Sequence, residues 1–262
     1  MIDSQVIDPT DRGFTLGDGL FESVLAEAGE LRRLDAHLDR MTAGCAVLGL
    51  PAPDRGAAAA LMRAALAERG LVRARAAVRL TLSAGAGGRG LDRPEPLTPR
   101  LVATAARAPK PETPARLVLS AVRRNDRSPA ASLKTLAYLD NVLDRREARA
   151  AGADEAVMLD TQGRLACAAA GNLFWLRDGR LFTPALDCGV LPGITRARVI
   201  EAARSLGLAV AEVAERPDSL RSAEAIFLTN SLIGLRGVAR MDDRGLEPSR
   251  LTEALVASTD KL

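Results

Sequence analysis

The chain has 262 residues, 47% of them apolar, with 36 basic and 33 acidic side chains and a formal net charge of +3. The single histidine, His37, excludes a multi-histidine metal site and an H-E-x-x-H zinc motif, and any Ser-His or Cys-His catalytic pair would have to use it. The mild charge and 3% aromatic content argue against nucleic acid as a partner, no apolar run approaches the roughly 18–20 residues of a membrane span, and three scattered cysteines (Cys45, Cys167, Cys188) fit a reducing cytoplasm better than a disulfide framework.

Residues 12–34 read as glycine-punctuated strands, with turns at Gly17-Asp18-Gly19 and Gly29-Glu30. Leu38, Met41, Cys45 and Leu48 recur at helical spacing, which predicts a helix over 34–48 closed by Gly49. A second, alanine-rich helix is expected over 54–68, and strands over 76–83 and 101–105. Residues 108–114 hold three prolines in seven, an extended linker that separates an N-terminal domain (1–107) from a C-terminal one (115–262). Beyond it a strand is expected over 116–122, then a helix over 133–150 stopped by Gly152. Short strands follow over 155–160, 164–168, 172–177 and 180–183, the last two joined by a hairpin at Asp178-Gly179. A helix over 196–206 and strands over 208–213 and 225–228 complete a mixed α/β (α+β) architecture in two domains.

Gly85-Ala86-Gly87-Gly88-Arg89-Gly90 satisfies the G-x-G-x-x-G pattern, but that pattern grips a dinucleotide only where a helix begins at once. Pro94, Pro96 and Pro99 rule such a helix out. The stretch is either a flexible glycine loop or a loop over a pocket with Arg89 at its tip.

Only Lys110, Lys134 and Lys261 are lysines, the other 33 basic residues being arginines. Codon bias in a GC-rich genome would account for most of that excess. Lys110 lies among the linker prolines and Lys261 beside the C-terminus, whereas Lys134 opens the helix expected over 133–150. A partly desolvated lysine can act as a free amine, which arginine cannot, and free amines form Schiff bases with aldehydes such as pyridoxal phosphate. Tyr138, four residues on, would share its helix face. The plain alternative is a surface lysine. Leu191-Pro192-Gly193-Ile194-Thr195-Arg196 offers a glycine turn, backbone N–H groups and a hydroxyl at a helix start, suited to a phosphate, and Thr229-Asn230-Ser231 offers further donors. Each motif alone is common.

Six motifs occur in order: Asp11 to Glu22, Leu34-Asp35-Ala36-His37-Leu38-Asp39-Arg40, Lys134 followed by Asn141-Val142-Leu143, Gly171-Asn172-Leu173-Phe174-Trp175, Gly193-Ile194-Thr195-Arg196, and Leu228-Thr229-Asn230-Ser231. Together they resemble the fold type IV pyridoxal-phosphate enzymes (class IV aminotransferases), over Asp11 to about Gly237. The resemblance implies a small N-terminal α/β domain, a larger barrel-like C-terminal domain, a homodimer, and a small-molecule substrate bound between domains. It implies that Lys134 carries the cofactor covalently and moves the proton at the substrate α-carbon. It places Arg40, Gly193, Ile194, Thr195, Thr229 and Asn230 at the cofactor phosphate, Tyr138 near its phenolic oxygen, Asn172 on the adjoining strand, and Phe21 and Arg89 toward substrate. His37 is read as structural.

Two departures stand out. Five residues before the strand asparagine the family has a glutamate that protonates the pyridine nitrogen; here Cys167 occupies that place, and a thiol, with an ordinary pKa of about 8.5, is a weak donor. The chain also begins late relative to the family's first strand, so one sheet edge is expected to be shortened. Within the family, the 83–91 loop looks most like that of aminodeoxychorismate lyase, with Arg89 suited to a substrate carboxylate, although Ala84 and Leu91 replace the usual arginine and aromatic. The resulting expectation is a lyase that converts 4-amino-4-deoxychorismate to 4-aminobenzoate and pyruvate. The alternatives are an aminotransferase acting on D- or branched-chain amino acids, and a catalytically impaired relative in which Cys167 has weakened the cofactor.

Overall fold

The computed structural model describes residues 7–261, so the expected shortening of a first-strand edge lies outside the described residues. The chain divides into two compact units: residues up to Pro109 together with Leu133–Ala137, and Lys110–Ser132 together with the chain from Tyr138 onward. The division falls within the proline stretch, but the first unit also takes five residues from far beyond it.

In the first unit a one-turn helix, α1 (Arg12–Leu16), leads into β1 (Gly19–Glu27) and the short β2 (Glu30–Leu31). Helices α2 (Leu34–Leu48) and α3 (Arg55–Glu68) follow, then β3 (Ala76–Ser83) and β4 (Arg100–Arg107). The strands form an antiparallel sheet in the order β2-β1-β3-β4, with Gly19 opposite Ser83 and Ala26 opposite Ala76. Leu20, Val24 and Ala26 of β1 and Val78, Leu80 and Leu82 of β3 share one core with Leu38, Met41 and Cys45 of α2 and Ala58, Met62 and Leu66 of α3. The helical residues recur at the three- and four-residue spacing that lays one stripe on a sheet face. Asp54 starts α3 by accepting the Ala57 N–H at 2.7 Å. Between β3 and β4 the glycine stretch opens no helix.

The second unit contains β5 (Ala115–Arg124), α4 (Leu139–Ala150), β6 (Glu155–Asp160), β7 (Leu165–Ala168), β8 (Gly171–Arg177), β9 (Arg180–Pro184), α5 (Ile194–Ser205), β10 (Val210–Val213), β11 (Ala225–Asn230), β12 (Gly234–Met241), β13 (Arg244–Gly245) and α6 (Arg250–Lys261). Its sheet runs β10-β9-β8-β11-β12-β5-β6-β7, and β7 pairs back onto β8, so six strands close a barrel. Closure removes the open edges that an exposed sheet would leave. Each barrel strand contributes to one apolar cluster, among them Leu117, Val157, Leu165, Trp175, Ile226 and Val238. Alternate residues Phe174, Leu176 and Phe227 pack against Val199 and Ile200 of α5 and Leu255 of α6. Burial on both faces explains why β8 reads as a nearly unbroken apolar run.

The helix expected over 133–150 begins only at Leu139. Residues 133–137 are held extended against β1: the Phe21 N–H donates to the Lys134 carbonyl at 2.9 Å, the Leu136 N–H donates to the Gly19 carbonyl at 3.0 Å, and Leu20 faces Thr135. Those partners outweigh a local helical preference of a few tenths of a kcal/mol per residue. Lys134 and Tyr138 therefore do not share a helix face; Tyr138 is the N-cap residue of α4. Three further elements, β12, β13 and α6, were not expected from the sequence pattern, nor was α1.

Candidate active site

In the first unit the half-buried Lys134 places its Nζ 4.1 Å from the centroid of the buried Phe21 ring. The Arg79 guanidinium lies 3.6 Å from the same centroid, because Arg79 faces Ser23 in the β1–β3 register and so sits diagonal to Phe21 on one sheet face. The Lys134 ammonium thus packs on the aromatic ring that the Arg79 guanidinium also contacts.

Successive β1 side chains alternate, so Glu22 points to the opposite, helix-covered face. There it accepts from Arg40 Nε at 2.7 Å and Arg40 Nη2 at 2.6 Å, while His37 Nδ1 lies 2.7 Å from its Oε2. Burial works to raise the Glu22 carboxyl, but hydrogen bonds from Arg40 and then His37 outweigh it and hold it below its ordinary value. A carboxylate only accepts, so His37 Nδ1 carries the proton. Glu22 was missed as a functional partner; its signal was a lone acid inside an apolar strand. Arg89 stands exposed at the tip of the glycine loop, and no ion pair to a described residue engages it.

In the second unit the phosphate-type motifs converge. Asn172 faces Thr229 across β8 and β11, and its Nδ2 donates to the Leu191 carbonyl at 3.0 Å. A Cβ on Gly193 would lie 2.0 Å from Asn172 Oδ1, so any larger residue would push the Asn172 side chain off its place. Gly193 caps α5, which starts at Ile194 rather than at the expected 196, and no side chain bonds the open first-turn amides of Ile194 and Thr195. The buried Thr229 hydroxyl has no hydrogen-bond partner among the described residues. Uncapped amides and an orphaned buried hydroxyl, beside a position with no room for a side chain, suit a phosphate oxygen cluster. Asn230 also builds the turn after β11: its Nδ2 donates to the Ala170 carbonyl at 2.8 Å and its Oδ1 accepts from the Leu232 and Ile233 N–H groups.

Cys167 lies opposite Asn172 on β7 and packs with Met158, Cys188 and Val190, immediately before the Gly193 turn. Burial pushes its thiol up to about 11, Arg124 opposing, so it stays neutral. Arg124, unremarked in the sequence, donates to the carbonyls of Gly189 at 3.0 Å and Ala131 at 2.8 Å, all neutral acceptors. Two further buried acids were also missed. Asp144 on α4 is fully buried, and burial, opposed by the Ser120 hydroxyl and Arg145 and aided by Glu147, raises it from 3.8 to about 6. Glu155, bonded to Arg145, is raised to about 7, chiefly by burial. A raised carboxyl favours the folded state while protonated: the contribution is complete below its unfolded pKa and is lost as pH rises through the folded one. Stability should thus fall between pH 4 and pH 7, and Asp144→Asn should flatten that slope and stabilise the protein at pH 8 by about 1–3 kcal/mol, read by thermal denaturation across pH. A variant whose melting curve keeps the native pH slope would refute the burial argument.

No group of three or more His, Cys, Asp or Glu among the described residues could hold a metal, and no helix there is long and apolar enough to cross a membrane. Residues 19–241 match the family model described as amino-transferase class IV. The chain belongs to that family. It is 28% identical to an aminodeoxychorismate lyase of Vibrio harveyi over 87% of its length and 85% of the relative's, and 28% identical to a D-alanine aminotransferase of Listeria innocua over 90% and 82%. The solved 4-amino-4-deoxychorismate lyase of Pseudomonas aeruginosa superposes with a TM-score of 0.86 at 31% identity, covering 97% of this chain and 94% of that one. The fold is accordingly that of the fold type IV enzymes, and class IV aminotransferase relatives include both lyases and transaminases.

Proposed function

We propose that this class IV enzyme is a pyridoxal-phosphate-dependent lyase that converts 4-amino-4-deoxychorismate to 4-aminobenzoate and pyruvate. When bound, pyridoxal phosphate supplies an electron sink for the negative charge left at the substrate α-carbon. Lys134 would hold the cofactor and would take the proton from the substrate α-carbon. The amides of Ile194 and Thr195, the turn at Gly193 and the Thr229 hydroxyl would hold the phosphate; the resemblance adds Arg40, set by Glu22, as a further phosphate ligand and Tyr138 as a partner of the phenolic oxygen. Phe21 walls the amine.

The observation that carries the lyase reading is Arg89, an exposed guanidinium with no ion pair among the described residues, on a loop held by Arg12. The proposed substrate carries two carboxylates, and guanidinium forks match carboxylates in bidentate fashion; 2-oxoglutarate, the transaminase co-substrate, shares that feature, so product release decides between the two readings. Exposed Phe14 and Leu91 (71% and 84%) support a homodimer, and three buried free cysteines support a reducing compartment. Purified enzyme should release pyruvate and 4-aminobenzoate from 4-amino-4-deoxychorismate and sediment at twice 27.6 kDa. Amino transfer from D-alanine or a branched-chain amino acid to 2-oxoglutarate, without that release, would establish the transaminase reading instead.

The neutral Cys167 favours a second reading, in which the sink is weak and turnover impaired. Cys167→Glu, beside Arg124, should restore a charged partner and change the pH dependence of the cofactor's absorbance near 400 nm (about the range of the bound aldehyde). An unchanged dependence would count against any role for position 167.

A further inference from the structure

The glycine loop is fastened in a way that the lyase reading does not require and that nothing above explains. Arg12, on α1, is only 4% exposed although it is an arginine. Its Nε donates to Asp18 Oδ2 at 3.0 Å, its Nη2 to the Leu91 carbonyl at 2.9 Å, and its Nη1 to the carbonyls of Asp92 at 2.9 Å and Gly90 at 3.3 Å. Asp18 is shared: Arg93, at the loop's far end, donates to it from Nε at 3.0 Å and Nη2 at 2.6 Å, and from Nη1 to the Leu48 carbonyl at 2.6 Å. The near end is tied as well. Asp11 accepts from the Ser83 hydroxyl at 2.8 Å, and the Arg12 N–H donates to the Gly85 carbonyl at 2.9 Å.

A mobile lid does not need a buried guanidinium with every edge committed to its carbonyls. The cost of burying that charge is met only if Asp18 and the three carbonyls stay in place. Gly88 closes the arrangement from the other side: its φ is +87°, and a Cβ there would lie 2.2 Å from the Asp92 carbonyl oxygen and 2.9 Å from Arg12 Nη1. The loop backbone therefore passes directly over the Arg12 fork. Arg89, next to Gly88, projects from a frame fixed on both flanks.

We propose that Arg12 is a positioning residue for anion recognition: it sets the 85–93 loop before substrate arrives, so that Arg89 meets a carboxylate without a prior ordering step. This rests on the reading of Arg89 given above. Lysine cannot replace Arg12, because a single ammonium cannot serve Asp18 and three carbonyls arranged around a plane. Preordering lowers the cost of binding, so its loss appears in KM while the chemical step, which belongs to Lys134, is left intact.

Arg12→Lys and Gly88→Ala disturb the same frame by different routes, the second keeping every group of Arg12. The holoenzyme and both variants are compared by amide hydrogen exchange across 84–93, and by steady-state kinetics with whichever dicarboxylate the assay above accepts, 4-amino-4-deoxychorismate or 2-oxoglutarate. Arg89→Ala is run in parallel. Both frame variants should exchange at Gly87 and Asp92 at least about tenfold faster than the native chain, with KM up about tenfold and kcat within about twofold. If Arg89→Ala raises KM while Arg12→Lys and Gly88→Ala leave it unchanged, the positioning role is overturned whatever the exchange shows. Native exchange in both frame variants overturns it too. Faster exchange in both, with KM insensitive even to Arg89→Ala, removes Arg89 from substrate recognition and leaves the frame without the proposed purpose.

Discussion

Lys134→Ala should abolish borohydride fixation of pyridoxal phosphate to the protein and lower turnover at least about a thousandfold, the scale expected when a positioned acid–base group is lost. The substitution should leave the fold in place. What fastens residues 133–137 to β1 is backbone hydrogen bonding through the Lys134 carbonyl and the Leu136 N–H, and neither involves the side chain. Removing the ammonium from the Phe21 ring costs about 0.5–1 kcal/mol, too little to unfold a domain. Lys134→Arg is the sharper control. It keeps a cation over Phe21 but cannot present a free amine, so it should be as inactive as the alanine variant. Peptide mapping after reduction reads the outcome directly. Label on Lys110 or Lys261, or wild-type turnover in either variant, would remove Lys134 from the chemistry.

The second large effect concerns the cradle. Gly193→Ala should weaken retention of pyridoxal phosphate by at least tenfold, or about 1.4 kcal/mol. The glycine's own φ of −72° is open to any residue, so the effect is steric: the new methyl would meet Asn172 Oδ1 at 2.0 Å. Either Asn172 releases the Leu191 carbonyl or the turn swings away, and both misdirect the Ile194 and Thr195 amides. Thr229→Val separates binding from stability. Because the hydroxyl has no hydrogen-bond partner among the described residues, its loss should leave the melting temperature unchanged or raised while still lowering cofactor affinity. Titration of each apo variant with the cofactor, followed by absorbance, checks both. Native affinity in the two variants together would place the phosphate elsewhere.

Much of this site was legible in the residues. A lysine kept in an arginine-rich chain, and a Gly-Ile-Thr turn before an amphipathic stretch, are readable in the residues as candidates for the proposed amine and phosphate cradle. What failed did so for tertiary reasons. Leu133 to Tyr138 carries a helical pattern, but β1 offers its open backbone groups to that segment, and a strand pairing formed over a hundred residues apart is invisible to local spacing. The β12 strand escaped notice because Arg236, Gly237 and Arg240 interrupt its apolar alternation, although its neighbours β5 and β11 hold it in the barrel. Arg12, Glu22 and Asp144 carry charge in places where composition suggests a solvated surface; only their burial distinguishes them. The side chain of Asn230, which the motif resemblance places at the phosphate, also builds the turn after β11, a role its residue type does not announce.

The excursion of Leu133–Ala137 also governs how the polypeptide can be assembled. The first unit is not finished when the ribosome passes Pro109; the backbone groups of Gly19 and Phe21 wait for residues 134–136 to be made. A fragment ending at the proline stretch would present that flank of β1 bare, open to pairing with another molecule of itself. Cutting at the apparent boundary thus yields no independent pair of modules. Any split or tandem-swapped version of this protein should keep residues 133–137 with the first unit, by circular permutation or by supplying them in trans.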